Sequence, residues 1–200
     1  MVISISNIKG GVGKTSTCVN LACIAANIKK VLIYDLDKQK AVNFFFDTVE
    51  KEKNFFSVRD KNIDIFVNPK FQKKDFFKNY DIIFIDTPAG LNKHTKEALK
   101  NSDITIVPVT PNILALKTYN DLISKGYKNL KILLNGVENK PTHKKIISLI
   151  SKLPSHQYFK TYIPKSDIIE NMAFYKTCIL SKYPDSKILR AYEKVLKEII

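Results

Sequence analysis

Apolar residues in this chain gather in short runs, separated by longer stretches in which apolar positions recur every three or four residues. The runs Val2 to Ile5, Val31 to Tyr34, Ile63 to Val67, Ile82 to Ile85, Ile104 to Val107 and Lys131 to Leu134 read as strands, with Tyr158 to Tyr162 as a further candidate. Most are continuous rather than alternating, as expected of strands covered on both faces. Helical patterns lie between them, beginning with Thr17 to Ala26. This alternation predicts an α/β fold: a mostly parallel, doubly wound sheet with right-handed crossovers and helices on both faces. Internal repeats, Gly/Ser linkers and low-complexity tails are absent from the sequence, so residues 1–200 are expected to form a single domain.

Near the C-terminus, Ile188, Leu189, Tyr192, Val195, Leu196 and Ile199 fall on one helical face, with Lys187, Arg190, Lys194 and Lys197 around them. Such a stripe suits either a terminal helix docked on a sheet or an amphipathic helix lying on a membrane. Glu193 and Glu198 interrupt the basic face and favour docking.

Composition narrows the function classes. The chain has 200 residues, 44% of them hydrophobic, and its 33 Lys+Arg against 19 Asp+Glu give a formal charge of +14. A chain this long buries roughly 70% of its unfolded surface and needs no disulfide or structural metal to hold a core. Its three Cys fit a reducing cytosol. Met1 to Ile8 lacks the basic region and cleavage site of a secretory signal, and no apolar run reaches the ~18 residues of a membrane span. Secreted, disulfide-framed and integral-membrane classes are therefore not expected. The positive charge suits nucleic acid, anionic lipid or nucleotide phosphates without choosing among them.

Two local shifts matter. Ten of the twelve Phe lie between Phe44 and Phe84, including Phe44-Phe45-Phe46, Phe55-Phe56 and Phe76-Phe77. Adjacent aromatics cannot all face one core from one element, so they are either split between core and a contact surface or buried against neighbouring helices. From Asn139 to Ser166 there are six Lys and no acidic residue, which reads either as a solvated face or as an anion-binding surface.

The strongest chemical signal is Ile8-Lys9-Gly10-Gly11-Val12-Gly13-Lys14-Thr15-Ser16, set between the first strand and the first helix. It matches the phosphate-binding loop G-x-x-x-x-G-K-S/T at its Gly-Lys-Thr end, with Ile8 in place of the leading Gly. Glycines at 10, 11 and 13 let backbone N–H groups converge on phosphate oxygens, while the helix that follows presents its positive end. Lys14 would then neutralise β- and γ-phosphates, and Thr15 would ligate Mg²⁺. Asp35 and Asp37 follow one strand and Asp86 ends another, at the strand termini where α/β sheets place ligands. A carboxylate there can hold Mg²⁺ through water or orient an attacking water.

Lys9-Gly-Gly-Val-Gly-Lys14-Thr15 resembles the deviant Walker A box of the ParA/MinD superfamily of ATPases. Asp35-Leu-Asp37-Lys-Gln39 resembles its switch I segment, Asp86-Thr-Pro88-Ala-Gly90 its Walker B and switch II segment, and Ser102-Asp103 into Ile-Thr-Ile-Val-Pro108-Val the strand after it. Leu133-Leu-Asn135 and Tyr162-Ile-Pro164-Lys165 resemble its later adenine-side segments. The resemblance implies a P-loop NTPase fold of the deviant Walker A type that binds ATP and Mg²⁺ and pairs as a nucleotide sandwich homodimer. In that pairing the signature lysine, Lys9, would reach the partner's phosphates. By the same carry-over Gly10, Gly11, Val12, Gly13, Lys14, Thr15 and Ser16 cradle the phosphates, Lys9, Lys14 and Asp37 are catalytic, and Asp37 positions water. Thr15 and Asp86 hold the metal, and Asn135 and Pro164 contact adenine. Lys38 stands where the family usually has Pro, which loosens switch I.

Within the superfamily, the phosphate loop begins by residue 9, so the resemblance points to the small ParA type without an N-terminal helix-turn-helix domain. That type implies a cytoplasmic, nucleoid-associated ATPase binding nonspecific DNA and acting with a centromere-binding adaptor that stimulates hydrolysis. No stable membrane association is expected. Lys140, Lys144, Lys145, Lys160 and Lys165 are the candidate DNA contacts. The alternative is a MinD-like membrane-positioning ATPase using the C-terminal helix. An iron–sulfur role is disfavoured, because Cys18 and Cys23 lie about 140° apart on a helix and Cys178 is distant in sequence; all three read as small buried hydrophobes. A GTPase reading lacks its N-K-x-D motif.

Overall fold

Apolar runs too short for helices pair side by side, and the chain's phosphate loop ends up at the middle of the resulting sheet. The computed structural model describes residues 1–72 and 77–200, with the side chain of Ala115 left aside. Its strands are β1 (Val2–Ile5), β2 (Val31–Asp35), β3 (Thr48–Glu52), β4 (Phe55–Val58), β5 (Ile63–Val67), β6 (Ile82–Asp86), β7 (Ile104–Val109), β8 (Leu130–Val137) and β9 (Ile163–Pro164). The helices are α1 (Lys14–Ala25), α2 (Lys93–Lys100), α3 (Ile113–Ser124), α4 (Pro141–Ile150), α5 (Asp167–Phe174), α6 (Ile179–Lys182) and α7 (Lys187–Lys197). The sheet order is β3-β4-β5-β2-β6-β1-β7-β8-β9. From β5 to β9 every pairing is parallel, while β3 and β4 form an antiparallel hairpin at one edge. The expected mostly parallel, helix-flanked sheet is therefore what forms.

The edge hairpin is the addition. β3 is Thr-Val-Glu-Lys-Glu and almost wholly exposed, so it has no apolar run to betray it. Its charges also protect the sheet from pairing with another chain. The Phe residues of the hairpin region divide as one of the two readings allowed. Phe45, Phe46, Phe77 and Phe84 are buried, Phe55, Phe56, Phe66 and Phe71 are half-buried, and Phe44 is 62% exposed. Phe66, Phe71 and Phe77 surround Tyr34 with centroids 5.3, 6.2 and 5.4 Å away. Phe76 lies outside the described residues.

At the other edge the expected strand Tyr158 to Tyr162 is displaced. Tyr158 makes only an isolated bridge to Ile132, and the paired residues are Ile163 and Pro164. The cause is a side chain: the Glu198 carboxylate accepts from the Lys160 and Thr161 amides at 2.8 and 2.9 Å, giving those donors a partner outside any ladder.

α1 is buried almost all round and packs against the sheet and α7. Asn20 on α1 explains part of that arrangement. Its Nδ2 donates to the Ser16 carbonyl at 2.7 Å and its Oδ1 accepts from the Ile179 amide at 3.0 Å, fixing α6 to the helix behind the phosphate loop. Cys18, Cys23 and Cys178 are all buried, as expected, and the fold brings Cys178 into hydrogen-bond contact with Cys23. The α7 stripe is docked: Ile188, Leu189, Tyr192, Val195 and Leu196 are buried, with Tyr192 fully enclosed. Among the described residues no helix is long and apolar enough to cross a membrane.

Candidate nucleotide site

β1 lies between β6 and β7, and the loop leaving its C-terminal end is tied to both neighbours. Asn7 donates to the Pro108 carbonyl at 2.7 Å and accepts from the Lys9 amide at 2.9 Å. Thr87 donates its hydroxyl proton to the Ile5 carbonyl at 2.9 Å, and the Gly90 amide donates to the Ile8 carbonyl at 3.0 Å. The loop thus enters α1 with its backbone already fixed. Asn7 was not distinguishable in the sequence, because a polar residue after a strand is ordinary.

Gly13 caps α1 at φ +87°, in the left-handed region. Glycine is required there twice over, since a Cβ would also overlap the Asn135 side-chain amide. That amide donates to the Val12 carbonyl at 2.8 Å, so Asn135 is packed against the back of the loop. Pro164 stands one strand further out, paired with Val137.

A cavity of about 430 Å³ opens over the loop, lined by Gly10, Gly11, Gly13, Lys14, Thr15 and Ser16, with Asp37, Gln39, Thr87 and Ala89 across from them. Val12 is buried beneath it. Lys14 is mostly buried and its Nζ donates to the Lys9 carbonyl at 3.2 Å. Burial lowers its pKa, while Asp86 and Asp37 work in the opposite direction and favour the ammonium. Thr15 donates its hydroxyl proton to Asp86 Oδ2 at 2.7 Å.

The other oxygen, Asp86 Oδ1, is buried without a hydrogen-bond partner. Asp35 stands directly beside Asp86 in the register of β2 and β6. Burial, then the neighbouring Asp35 carboxylate, push the Asp86 pKa up, to about 8. Asp35 is raised as well, to about 6, chiefly by burial. A buried carboxylate oxygen with no partner, next to a hydroxyl, is a donor set suited to a hard divalent cation. The glycine-lined loop and Lys14 suit the phosphates such a cation accompanies. When bound, Mg²⁺ would supply charge neutralisation at the phosphates, with Thr15 and Asp86 as the residues to hold it.

Asp37 is half-buried at the rim, held by the Gln39 amide at 3.0 Å, and its own amide donates to Asp35 at 2.8 Å. Lys9 differs from Lys14 in being exposed. It sits at a shallow apolar depression of about 350 Å³ that Ile8, Val12, Val109 and Leu114 also line. Ile113 and Leu114 beside it are each 63% exposed.

The five lysines suggested as DNA contacts separate into groups. Lys140 and Lys165 both lean on Glu138, at 2.9 and 3.8 Å. Those contacts, the Lys140 hydrogen bond first, hold the Glu138 pKa below its usual value. Lys144 and Lys145 are exposed on α4 and make no ion pair among the described residues. Lys160 faces a groove of about 530 Å³ whose other cations are Lys187, Arg190 and Lys194 of α7. In the sequence that trio flanks the apolar stripe of a helix expected to dock on the sheet; only its place against Lys160 reveals them as a groove wall.

Comparisons with known proteins agree with this geometry. Residues 3–177 match the model of the CobQ/CobB/MinD/ParA nucleotide binding domain. The sporulation initiation inhibitor protein Soj of Bacillus subtilis is 25% identical, over 99% of this chain and 97% of its own length. Among solved structures, a Borrelia burgdorferi plasmid partition protein bound to AMPPNP superposes with a TM-score of 0.80 at 23% identity, covering 99% of this chain and 97% of that one. The septum site-determining protein MinD from Pyrococcus horikoshii, complexed with Mg-ADP, gives 0.79 at 21% identity over 99% and 95%. A loop built for phosphates at the centre of this sheet, and a family match across most of the chain, lead to one assignment: the chain belongs to the CobQ/CobB/MinD/ParA nucleotide-binding family.

Proposed function

We propose that this chain is a Mg²⁺-dependent ATPase that pairs as a homodimer across ATP, binds DNA without sequence preference, and drives DNA partition with a centromere-binding adaptor that stimulates hydrolysis. It would work in the cytoplasm on the nucleoid. The observation that carries this reading over membrane positioning is the docking of α7. Its apolar stripe is spent on the core, with Tyr192 and Val195 fully buried, so the surface it offers is Lys187, Arg190 and Lys194. A groove walled by four cations, on a helix whose apolar stripe is buried, suits a phosphodiester backbone better than a bilayer interior.

In this reading Lys14 and the loop from Gly10 to Ser16 bind the phosphates, Thr15 and Asp86 hold Mg²⁺, and Asp37 orients the attacking water. Asn135 and Pro164 serve the adenine side. Exposed Lys9 completes the partner's site on pairing, and the adjoining Ile113 and Leu114 become buried in the dimer. Lys160, with the α7 cations, contributes most to DNA, and Lys144 and Lys145 extend the surface. Lys140 and Lys165 contribute less, because Glu138 already shares their charge.

Charge reversal tests the placement. The triple variant Lys187→Glu, Arg190→Glu, Lys194→Glu and the double variant Lys144→Glu, Lys145→Glu are compared with wild type for ATP-dependent binding to random-sequence duplex and to anionic liposomes. The triple variant is expected to lose DNA binding, and the salt slope to flatten by about 0.9 per phosphate contact removed. Full DNA binding by the triple variant refutes the groove, and liposome binding by wild type returns the membrane reading.

A further inference from the structure

A second basic cavity lies at the opposite end of the strands from the phosphate loop. It has a volume of about 560 Å³ and sits between the C-terminal ends of α2 and α3, with Lys96, Lys100, Lys125 and Lys128 around Leu99 and Tyr127. We propose that this basin binds a small molecule carrying several phosphates, a nucleoside polyphosphate or inorganic polyphosphate, at a site separate from the nucleotide cavity.

The charge arrangement is the first argument. No carboxylate lines the basin, and among the described residues none of its four lysines makes an ion pair. Where lysines do pair, a carboxylate lies within 4 Å, as for Lys51 with Asp64, Lys131 with Glu198, and Lys140 and Lys165 with Glu138; the basin offers its lysines none. The second argument is local. A cation at the end of a helix is favoured by the helix dipole, which accounts for Lys100 in the last turn of α2 and for Lys125 just past α3. It does not account for Lys96, a like charge one turn before Lys100, where i,i+4 repulsion disfavours the helix. Nor does it account for Lys128, placed by the turn that Gly126 makes at φ +80°. Glu97, three residues before Lys100, offsets part of that repulsion, so the case for the basin rests on four cations from two separate segments converging on one cavity.

Size and chemistry specify the ligand class. The volume falls in the range of about 300–1,000 Å³ typical of small-molecule sites. Ammonium groups on flexible stems recognise phosphate by charge, without the planar fork that Arg presents to a carboxylate. Buried Leu99 and the half-buried Tyr127 ring give the floor an apolar part. The basin is also joined to the nucleotide site. α2 starts just after the Asp86 to Gly90 segment, and Ser102 at the basin is hydrogen-bonded to Ser4 of β1 at 2.6 Å.

Calorimetric titration with inorganic tripolyphosphate in Mg²⁺-free buffer tests the site. Wild type, Lys14→Ala, and Lys100→Ala/Lys128→Ala are compared, each first checked for an unchanged melting temperature. One binding event is expected to survive Lys14→Ala and to weaken about tenfold or more in Lys100→Ala/Lys128→Ala, since charge-assisted contacts to the anion are removed. Adding ADP to Lys14→Ala separates the sources: competition identifies a nucleotide occupant, and binding of tripolyphosphate alone identifies inorganic polyphosphate. If no event survives Lys14→Ala, or the surviving event ignores the basin lysines, the proposal is overturned. Loss of duplex DNA binding in Lys100→Ala/Lys128→Ala overturns it too, by making the basin part of the DNA surface. Because the tripolyphosphate arm requires neither ATP turnover nor DNA, it fails or succeeds independently of the partition reading.

Discussion

Asp86→Asn is expected to make the nucleotide-free protein more stable while removing its response to Mg²⁺. The carboxylate is 1% exposed, one oxygen lacks a partner, and Asp35 stands beside it in register. Its raised pKa means that the folded chain binds a proton that the unfolded chain has released. The contribution of Asp86 to stability is therefore greatest at low pH and is lost as pH rises from the ordinary carboxylate value near 4 through about 8. Each pKa unit is worth about 1.4 kcal/mol, so ionising Asp86 inside the fold costs a few kcal/mol. Asn keeps an acceptor for the Thr15 hydroxyl and removes the charge, but it leaves an amide in the orphan position at about 1–3 kcal/mol. The shift from near 4 to about 8 amounts to about 5–6 kcal/mol, so the net gain above pH 8 is about 3–5 kcal/mol, or roughly 6–20 °C in melting temperature for a chain of this size. Thermal unfolding without Mg²⁺ at pH 6 and pH 9 reads it directly, with the Asn variant ahead at the higher pH and the gap closing at the lower. Equal melting temperatures at both pH values would refute the claim that the site stores electrostatic cost for a cation to relieve.

Other perturbations probe separate parts of the account. Gly13→Ala combines backbone strain of about 1–2 kcal/mol with overlap against Asn135, so nucleotide binding should weaken sharply; adding Asn135→Ala should restore part of it in a binding double-mutant cycle. Tyr192→Ala opens a fully buried site between α7 and α1 and should cost about 3–5 kcal/mol in a urea titration. A near-neutral result there would mean that α7 is not docked in solution. Asp37→Ala should keep nucleotide affinity and lose turnover in a phosphate-release assay, and unchanged turnover would remove Asp37 from the chemistry.

Much of the centre of the molecule was readable because burial there is simple. β1, β2, β6, β7 and β8 are mainly apolar on both faces, and a run such as Ile82 to Ile85 has few other ways to satisfy its backbone and its side chains together. The loop from Gly10 to Ser16 was readable because phosphate chemistry restricts residue type at each step. The margins obey other constraints. β3 has no apolar signature because an exposed edge strand needs charge more than hydrophobicity. The strand expected at Tyr158 to Tyr162 moved because Glu198, far along the chain, captures two amides that periodicity assigns to a ladder. The acid-free stretch from Asn139 to Ser166 is likewise neutralised in part from outside, by Glu138 against Lys140 and Lys165. Lys187, Arg190 and Lys194 share a groove with Lys160 only after α7 docks, and the lysines at 96, 100, 125 and 128 meet only when α2 and α3 end side by side. Such long-range pairings leave no periodic trace.

Sedimentation velocity of the wild-type chain with fluorescent random-sequence duplex, in Mg²⁺ with ATP, with ADP and without nucleotide, tests the proposed ATP-gated DNA binding most directly. The account predicts a dimer that travels with DNA only in ATP, and a monomer free of DNA in the other two conditions. A monomer in all three, or DNA binding indifferent to nucleotide, would contradict it.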